Sequence, residues 1–309
     1  MTYCSAPGKI ILFGEHAVVY GEPAIAVAID RRIHCDIRKA RDNTTTINGL
    51  EFDPQKQTYL QCAMDTLGVR EPLNIQTKSE LLSGAGMGSS AALTISSLGC
   101  LLSLQGDFDL ETAAKTGFEV EYQTQGGASP IDTSTSALGG EVMLSPTRVS
   151  GFCWTINKGD TTWNVHQSKT PRLKLVLGNS CVHSPTSKLV CKVKEAYNRS
   201  AMARDIIRDI GVVVKRGHEA LMEEDLVEVG RLMDQNQNLL AHLGVSHLKL
   251  DALIDAARPH SYGAKLTGVG GGGVMLALTD EPDEAAKAIE EAGGKAYILN
   301  STTKGLAFE

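Results

Sequence analysis

Residues 83–102 read SGAGMGSSAALTISSLGCLL. Glycines stand at 84, 86 and 88, Ser89 and Ser90 follow, and then comes a long apolar run of helical character. The first N–H groups of a helix have no partner inside it, and the helix dipole adds positive potential there, so such a start is a ready anion site. Glycine lets that backbone close on a phosphate with no Cβ in between. The serines have three tasks open to them: capping the helix, contacting phosphate, or ligating a hard metal ion. A tight turn with an N-cap is the plain alternative for the segment alone. The P-loop is excluded, because neither Gly8-Lys9-Ile10 nor Gly294-Lys295-Ala296 completes GxxxxGK[ST].

Three other stretches carry chemistry-bearing residues. KLTGVGGGGVML (265–276) contains GxGxxG at Gly268, Gly270 and Gly273, but it opens an apolar strand where a dinucleotide fingerprint must open a helix. A second phosphate-proximal loop or a structural turn remain. APGKIILFGEHAVVYGEPAIAVAID (6–30) places Lys9 ahead of an apolar strand and Glu15-His16 in the turn after it. Loops carry function more often than cores do, yet a single lysine or histidine is commonly solvated or structural. EVEYQTQGGASPIDTSTSALGG (119–140) has Glu121 near a helix end and Asp132 in a loop after Pro130. An aspartate so placed often only caps a turn.

These residues need elements to hold them. KIILF, AVVY, AIAVAI and HCDI alternate with turn formers, as strands do, and RDNTTTINGLEFDP reads as a further hairpin. TYLQCAMDTLG has helical spacing at Leu60, Met64 and Leu67, and LNIQTKSEL alternates as a strand directly before the first glycine motif. A helix is predicted from Ser89 to Leu104 with Gly106 as its stop, and another over 109–125 burying Leu110, Ala113, Ala114, Gly117, Phe118 and Tyr122. Beyond about residue 170 come a strand in TPRLKLVLGN, helices over 186–217, 219–241 and 247–258, the strand GVMLAL, the helix DEPDEAAKAIEEAG and the strand KAYILNST. The reading is an α+β protein of two halves, 1–168 and 169–309.

Bulk properties narrow the function. The 309 residues are 42% hydrophobic and 21% charged, ordinary for a globular protein. A net charge of −6 argues against nucleic acid or a membrane surface as partner, so any anionic ligand is held locally. Seven scattered cysteines without a CxxC suggest reduced thiols rather than disulfides or zinc. MTYCSAPGK lacks the features of a signal peptide, and no run of about 18 apolar residues occurs. The expectation is a soluble, cytoplasmic protein.

Taken together, the four stretches resemble the motif set of the GHMP small-molecule kinases, in that family's order, from Pro7 to Gly273. GKIILFGEHAVVYGEPAIA is the most diagnostic piece and resembles the mevalonate-phosphorylating branch. The resemblance implies an N-terminal half like the second domain of ribosomal protein S5, a ferredoxin-like C-terminal half and an active site in the cleft between them. It implies ATP-dependent phosphorylation of mevalonate in isoprenoid synthesis, with Mg²⁺ as cofactor and mevalonate and ATP as partners; a homodimer is the assembly considered. Ser83, Gly84, Ala85, Gly86, Met87, Gly88, Ser89 and Ser90 would form the ATP loop, with Ser90 and Glu121 as Mg²⁺ ligands. Asp132 would be the general base, Lys9 its charge partner, and Glu15 and His16 substrate contacts. Thr267, Gly268, Gly270 and Gly271 would form the third motif. Pro130 stands where the family has glycine, leaving Asp132 in register, and the chain is short, like compact archaeal members. Another kinase of this family, acting on phosphomevalonate or a sugar, is the alternative; a non-catalytic sensor conflicts with the presence of Lys9, Ser90, Glu121 and Asp132.

Overall fold

A computed structural model describes residues 2–82, 86–182 and 186–309 of the chain. The first apolar run forms β1 (Thr2–Phe13), and a tight turn followed by a 3-10 turn at Ala17–Tyr20 returns it as β2 (Ala24–Lys39). The two pair antiparallel, with a register shift between Pro7 and Lys9. Pro7 offers no N–H to the ladder, and a bulge there re-aims the side chain that follows. The expected hairpin comes next, with β3 (Thr46–Ile47) turning through Asn48-Gly49 into β4 (Leu50–Glu51); both turn residues have the positive φ of a two-residue hairpin loop.

After α1 (Thr58–Thr66) and β5 (Leu73–Ser79), the glycine motif leads into α2 (Ser89–Gln105), which ends on Gly106 at φ 83°. The helix is apolar nearly all round, so it must be enclosed. It packs on β1 and β2 and is flanked by α3 (Leu110–Gln125), capped by the Asp109 carboxylate, and α4 (Ile131–Leu138). The last corrects the sequence reading, which placed Asp132 in a loop. IDTSTSAL shows little apolar period, yet it is buried: the threonine hydroxyls bond back to the preceding turn, as Thr135 Oγ1 does to Ile131 O at 2.6 Å, while the Ser134 and Ser136 hydroxyls are buried with no partner among the described residues.

Strands β6 (Glu141–Ser145), β7 (Phe152–Lys158) and β8 (Thr161–Ser168) extend the sheet to the order β4-β3-β5-β2-β6-β8-β7, with β1 along the opposite edge of β2. Next come β9 (Lys174–Asn179), α5 (Thr186–Arg199), α6 (Ala201–Met222), α7 (Leu226–His242) and α8 (Leu248–Ala257). The helical stretch breaks at Ser200 and before Leu226, where the Ser200 and Asp225 side chains cap new helices by accepting from Ala203 N and Glu228 N. Then follow β10 (Gly263–Thr267), β11 (Val274–Leu278), α9 (Pro282–Glu291) and β12 (Lys295–Asn300).

The second sheet is antiparallel in the order β10-β11-β9-β12. Counted within this half, that is 2-3-1-4 with the chain order β-α-β-β-α-β, the ferredoxin-like arrangement. A final short strand, β13 (Ala307–Phe308), pairs with β1 of the first sheet. The largest apolar cluster joins Leu12, Phe13 and Ile25 of the first sheet to Ile210 and Val214 of α6 and Leu266 of β10. The two sheets are therefore fixed to each other by a shared core.

Candidate active site

Lys9 leaves β1 just after the bulge. Its backbone N–H donates to Met87 O at 2.9 Å, which ties the strand to the first glycine loop. Its alkyl stem passes over Gly88, where a Cβ would stand 2.9 Å from both Cγ and Cε. Gly88 also precedes α2 with φ 70°, so the position needs glycine for conformation and for space. The stem is thus steered toward α4, and Nζ sits 2.9 Å from Asp132 Oδ2 in the first turn of that helix.

Ser90, in the first turn of α2, donates its hydroxyl to Glu121 Oε1 at 2.9 Å. Glu121 is 2% exposed, and burial first, then the Asp132 charge, push its carboxyl up to about 8 against the Ser90 hydrogen bond and Lys9. A carboxyl this reluctant to ionise has a ready use for a cation. The adjoining Ser90 and Glu121 oxygens suit Mg²⁺, a hard ion that takes few protein ligands and completes its shell with water and phosphate. Among the described residues no group of three His, Cys, Asp or Glu side chains is placed to hold a metal ion by itself.

Lys9, Asp132, Ser89 and Ser90 share one cleft of about 590 Å³ with Gly86, Met87 and Gly88. Thr267, Gly268 and Gly270 of the third motif line it as well. That loop is seated by its backbone: Gly271 N donates to Val245 O at 2.8 Å, and a Cβ on Gly270, whose φ is 79°, would lie 2.1 Å from the same oxygen. Gly271 therefore faces a supporting loop and is absent from the described lining. Ser83, Gly84 and Ala85 lie outside the described residues. Ser89 is the first residue of α2, and Gly88 rather than a serine holds the N-cap position.

Glu15 and His16 are not among the residues that line this cleft. The Glu15 carboxylate is 2% exposed and ion-paired with Lys265, and Asn236 Nδ2 donates to its other oxygen at 3.1 Å. The His16 ring bonds through Nε2 to Val269 O at 2.9 Å, and burial holds it below the usual imidazole range, so it is neutral near pH 7. Both are engaged by protein groups because the turn after β1 folds under the third glycine loop. Sequence reasoning missed Lys265 and Asn236, and it missed Gln125, which lines the cleft from the end of α3. One signal was available: a lysine at the centre of the apolar strand GAKLT, directly before the glycines.

Residues 57–140 match the GHMP kinases N terminal domain, and residues 218–299 match GHMP kinases C terminal. Mevalonate kinase of Pyrococcus furiosus is 33% identical, with 99% of this chain and 97% of that protein aligned. Mevalonate kinase of Thermococcus sibiricus is 34% identical over the same shares. The crystal structure of Methanococcus jannaschii mevalonate kinase superposes with a TM-score of 0.79 at 26% identity, covering 97% of this chain and 98% of that one.

Proposed function

The chain belongs to the GHMP kinases, and from that premise we propose that it transfers the γ-phosphoryl group of ATP to the primary hydroxyl of (R)-mevalonate, giving 5-phosphomevalonate and ADP. The observation that carries the chemistry is the Lys9–Asp132 pair lining the same cleft as the N-terminus of α2. Near-complete alignment with mevalonate kinases supports the choice of alcohol.

Phosphoryl transfer asks a protein chiefly for positioning and for neutralisation of charge. The loop from Ser83 to Ser90 takes the ATP phosphates on backbone N–H groups and the dipole of α2. The Thr267–Gly271 loop approaches from the other half of the chain. Ser90 and Glu121 hold Mg²⁺, which when bound neutralises phosphate charge. Asp132 accepts the hydroxyl proton as the oxygen bonds to phosphorus, while the bond to the ADP oxygen breaks. Lys9 Nζ, already beside that carboxylate, stabilises the negative charge developing on the oxygens in transfer. A reduced cytosolic setting fits the scattered cysteines, and no helix among the described residues is long and apolar enough to cross a membrane.

The test is ADP formation with ATP and Mg²⁺ against a panel of mevalonate, phosphomevalonate and galactose. A kcat/KM for mevalonate at least about tenfold above every other acceptor is expected, the smallest margin that corresponds to a distinct transition-state preference. Equal or better turnover of another acceptor would reassign the substrate, and no turnover of any would remove the enzyme reading.

A further inference from the structure

Lys265 lies fully buried on β10, directly before the third glycine loop, and the mechanism above gives it no task. Its Nζ donates to Glu15 and to Leu266 O, the latter at 2.6 Å. Glu15 also accepts from Asn236 of α7, which is itself 0% exposed and whose Oδ1 has no partner among the described residues. Two ionisable groups and an amide are thus withdrawn from water where the turn after β1 meets the C-terminal half. Burying such a pair is a poor route to stability, because apolar side chains of the same volume commonly do as well. Its use is in fixing geometry.

The next residue carries a second sign of constraint. His16 has φ 62° and ψ −38°, and Ala17 N donates to Glu15 O at 2.7 Å across it. That is the γ-turn of positive φ, rare and strained in L-residues, and it persists where the surroundings over-determine it. The turn aims Glu15 at Lys265 and the His16 ring at Val269. A carbonyl oxygen can only accept, so Nε2 carries the proton in the bond to Val269 O. One further bond, Thr267 Oγ1 to Ile11 O at 2.9 Å, closes the set. Residues 265, 267 and 269 are thereby each held by β1 or by its turn.

We propose that Lys265, Glu15, Asn236 and His16 form a buried clasp that fixes the third glycine loop against the strand carrying Lys9, making Lys265 a positioning residue for phosphoryl transfer. This rests on the kinase reading above. Glu15 and His16 accordingly act through the loop rather than on the acceptor alcohol. The clasp sets the distance between the two walls of the cleft, and misplacement by about 1 Å can cost about 100-fold in rate.

The experiment compares wild type, Lys265→Met, Lys265→Met/Glu15→Gln and His16→Asn by melting temperature, by kcat and KM, and by amide hydrogen exchange of residues 265–274. Lys265→Met strands a buried carboxylate and lowers Tm by several degrees. The double variant removes both charges and brings Tm back to within about 3 °C of wild type. Its kcat stays at least about tenfold low with KM for ATP changed less than about threefold, and its loop amides exchange at least about tenfold faster, as loss of positioning requires. His16→Asn tolerates positive φ but is too short to reach Val269, so it repeats the kinetic and exchange effects even if the double variant fails to fold. Recovery of kcat together with Tm, or unchanged loop exchange in the double variant and in His16→Asn, overturns the clasp. Because exchange is read without substrate, a wild-type protein inactive on mevalonate would sink the kinase reading and still leave the clasp judged.

Discussion

Lys9 Nζ and Asp132 Oδ2 are 2.9 Å apart, one on the first strand and the other in the first turn of α4. Two features produce the pairing: the bulge after Pro7, which re-aims Lys9, and the missing Cβ at Gly88, over which its stem passes. Side-chain exposure is 6% for Lys9 and 27% for Asp132, so the carboxylate is the partner open to the cleft. The pair joins the cation that would face phosphate to the base that would face the alcohol.

Asp132→Asn keeps the shape of the side chain and removes its basicity. The expected result is a kcat reduced by about 10²–10⁴-fold, the usual worth of a general base, with ATP affinity within about threefold of wild type. Coupled ADP release and calorimetric titration with ATP measure the two quantities. Near-normal turnover would remove Asp132 from the role.

Gly88→Ala attacks the same pair indirectly. An L-residue at φ 70° costs about 1–2 kcal/mol, and the added methyl meets the Lys9 stem. Both Tm and kcat should fall. Gly68→Ala is the control: its φ is 66° but a Cβ there meets nothing within 4 Å, so Tm should fall alone. Equal kinetic effects of the two substitutions would show that Gly88 does not steer Lys9.

Glu121 gives the metal-free protein a distinctive pH dependence. Its folded value of about 8 lies above the ordinary 4.5, so between these pH values the folded state keeps a proton that the unfolded chain has released. Stability therefore declines as pH rises through that window. Glu121→Gln should melt above wild type at pH 8.5 in chelator-treated buffer, and the gap should vanish by about pH 4. Parallel Tm curves for the two proteins would contradict the assignment.

His218 makes stability fall with rising pH as well, but through an ion pair rather than through burial of a lone carboxyl. Its Nδ1 lies 2.9 Å from Glu141 Oε1, a fully buried carboxylate on β6, and that hydrogen bond raises the imidazole above its ordinary 6.5. The stabilisation is fully present below about pH 6.5 and is lost as pH rises through the elevated folded value. Glu141→Gln should therefore lower Tm by several degrees at pH 6, with a smaller loss at alkaline pH. A loss independent of pH would show that the pair is not charged in the folded state.

Much of this was legible in the chain. The period of α2 and its Gly106 stop locate that helix to within one residue of Ser89–Gln105, because apolar spacing and a left-handed C-cap are local properties. The hairpin around Asn48-Gly49 is local in the same way. Helix α4 was not legible, since it buries a run of hydroxyl side chains that show no apolar period, the threonines bonding back to the preceding turn and Ser134 and Ser136 enclosed by the tertiary packing. Glu15 and His16 were visible as chemistry-bearing residues, but their partners were not. Lys265 and Val269 come some 250 positions later, and no spacing rule reaches that far.

The amino-acid sequence by itself determined the approximate places of many strands, helices and glycine loops, α2 most closely, and which residue types stand at the mouths of those loops. These are short-window properties, set by side-chain period, caps and steric freedom. Only the tertiary structure decided which polar groups meet: Lys9 with Asp132, Ser90 with Glu121, and Glu15 with Lys265. Those pairings depend on how a shared apolar core closes two sheets on each other, and a buried charge then takes whichever partner that closure brings within reach.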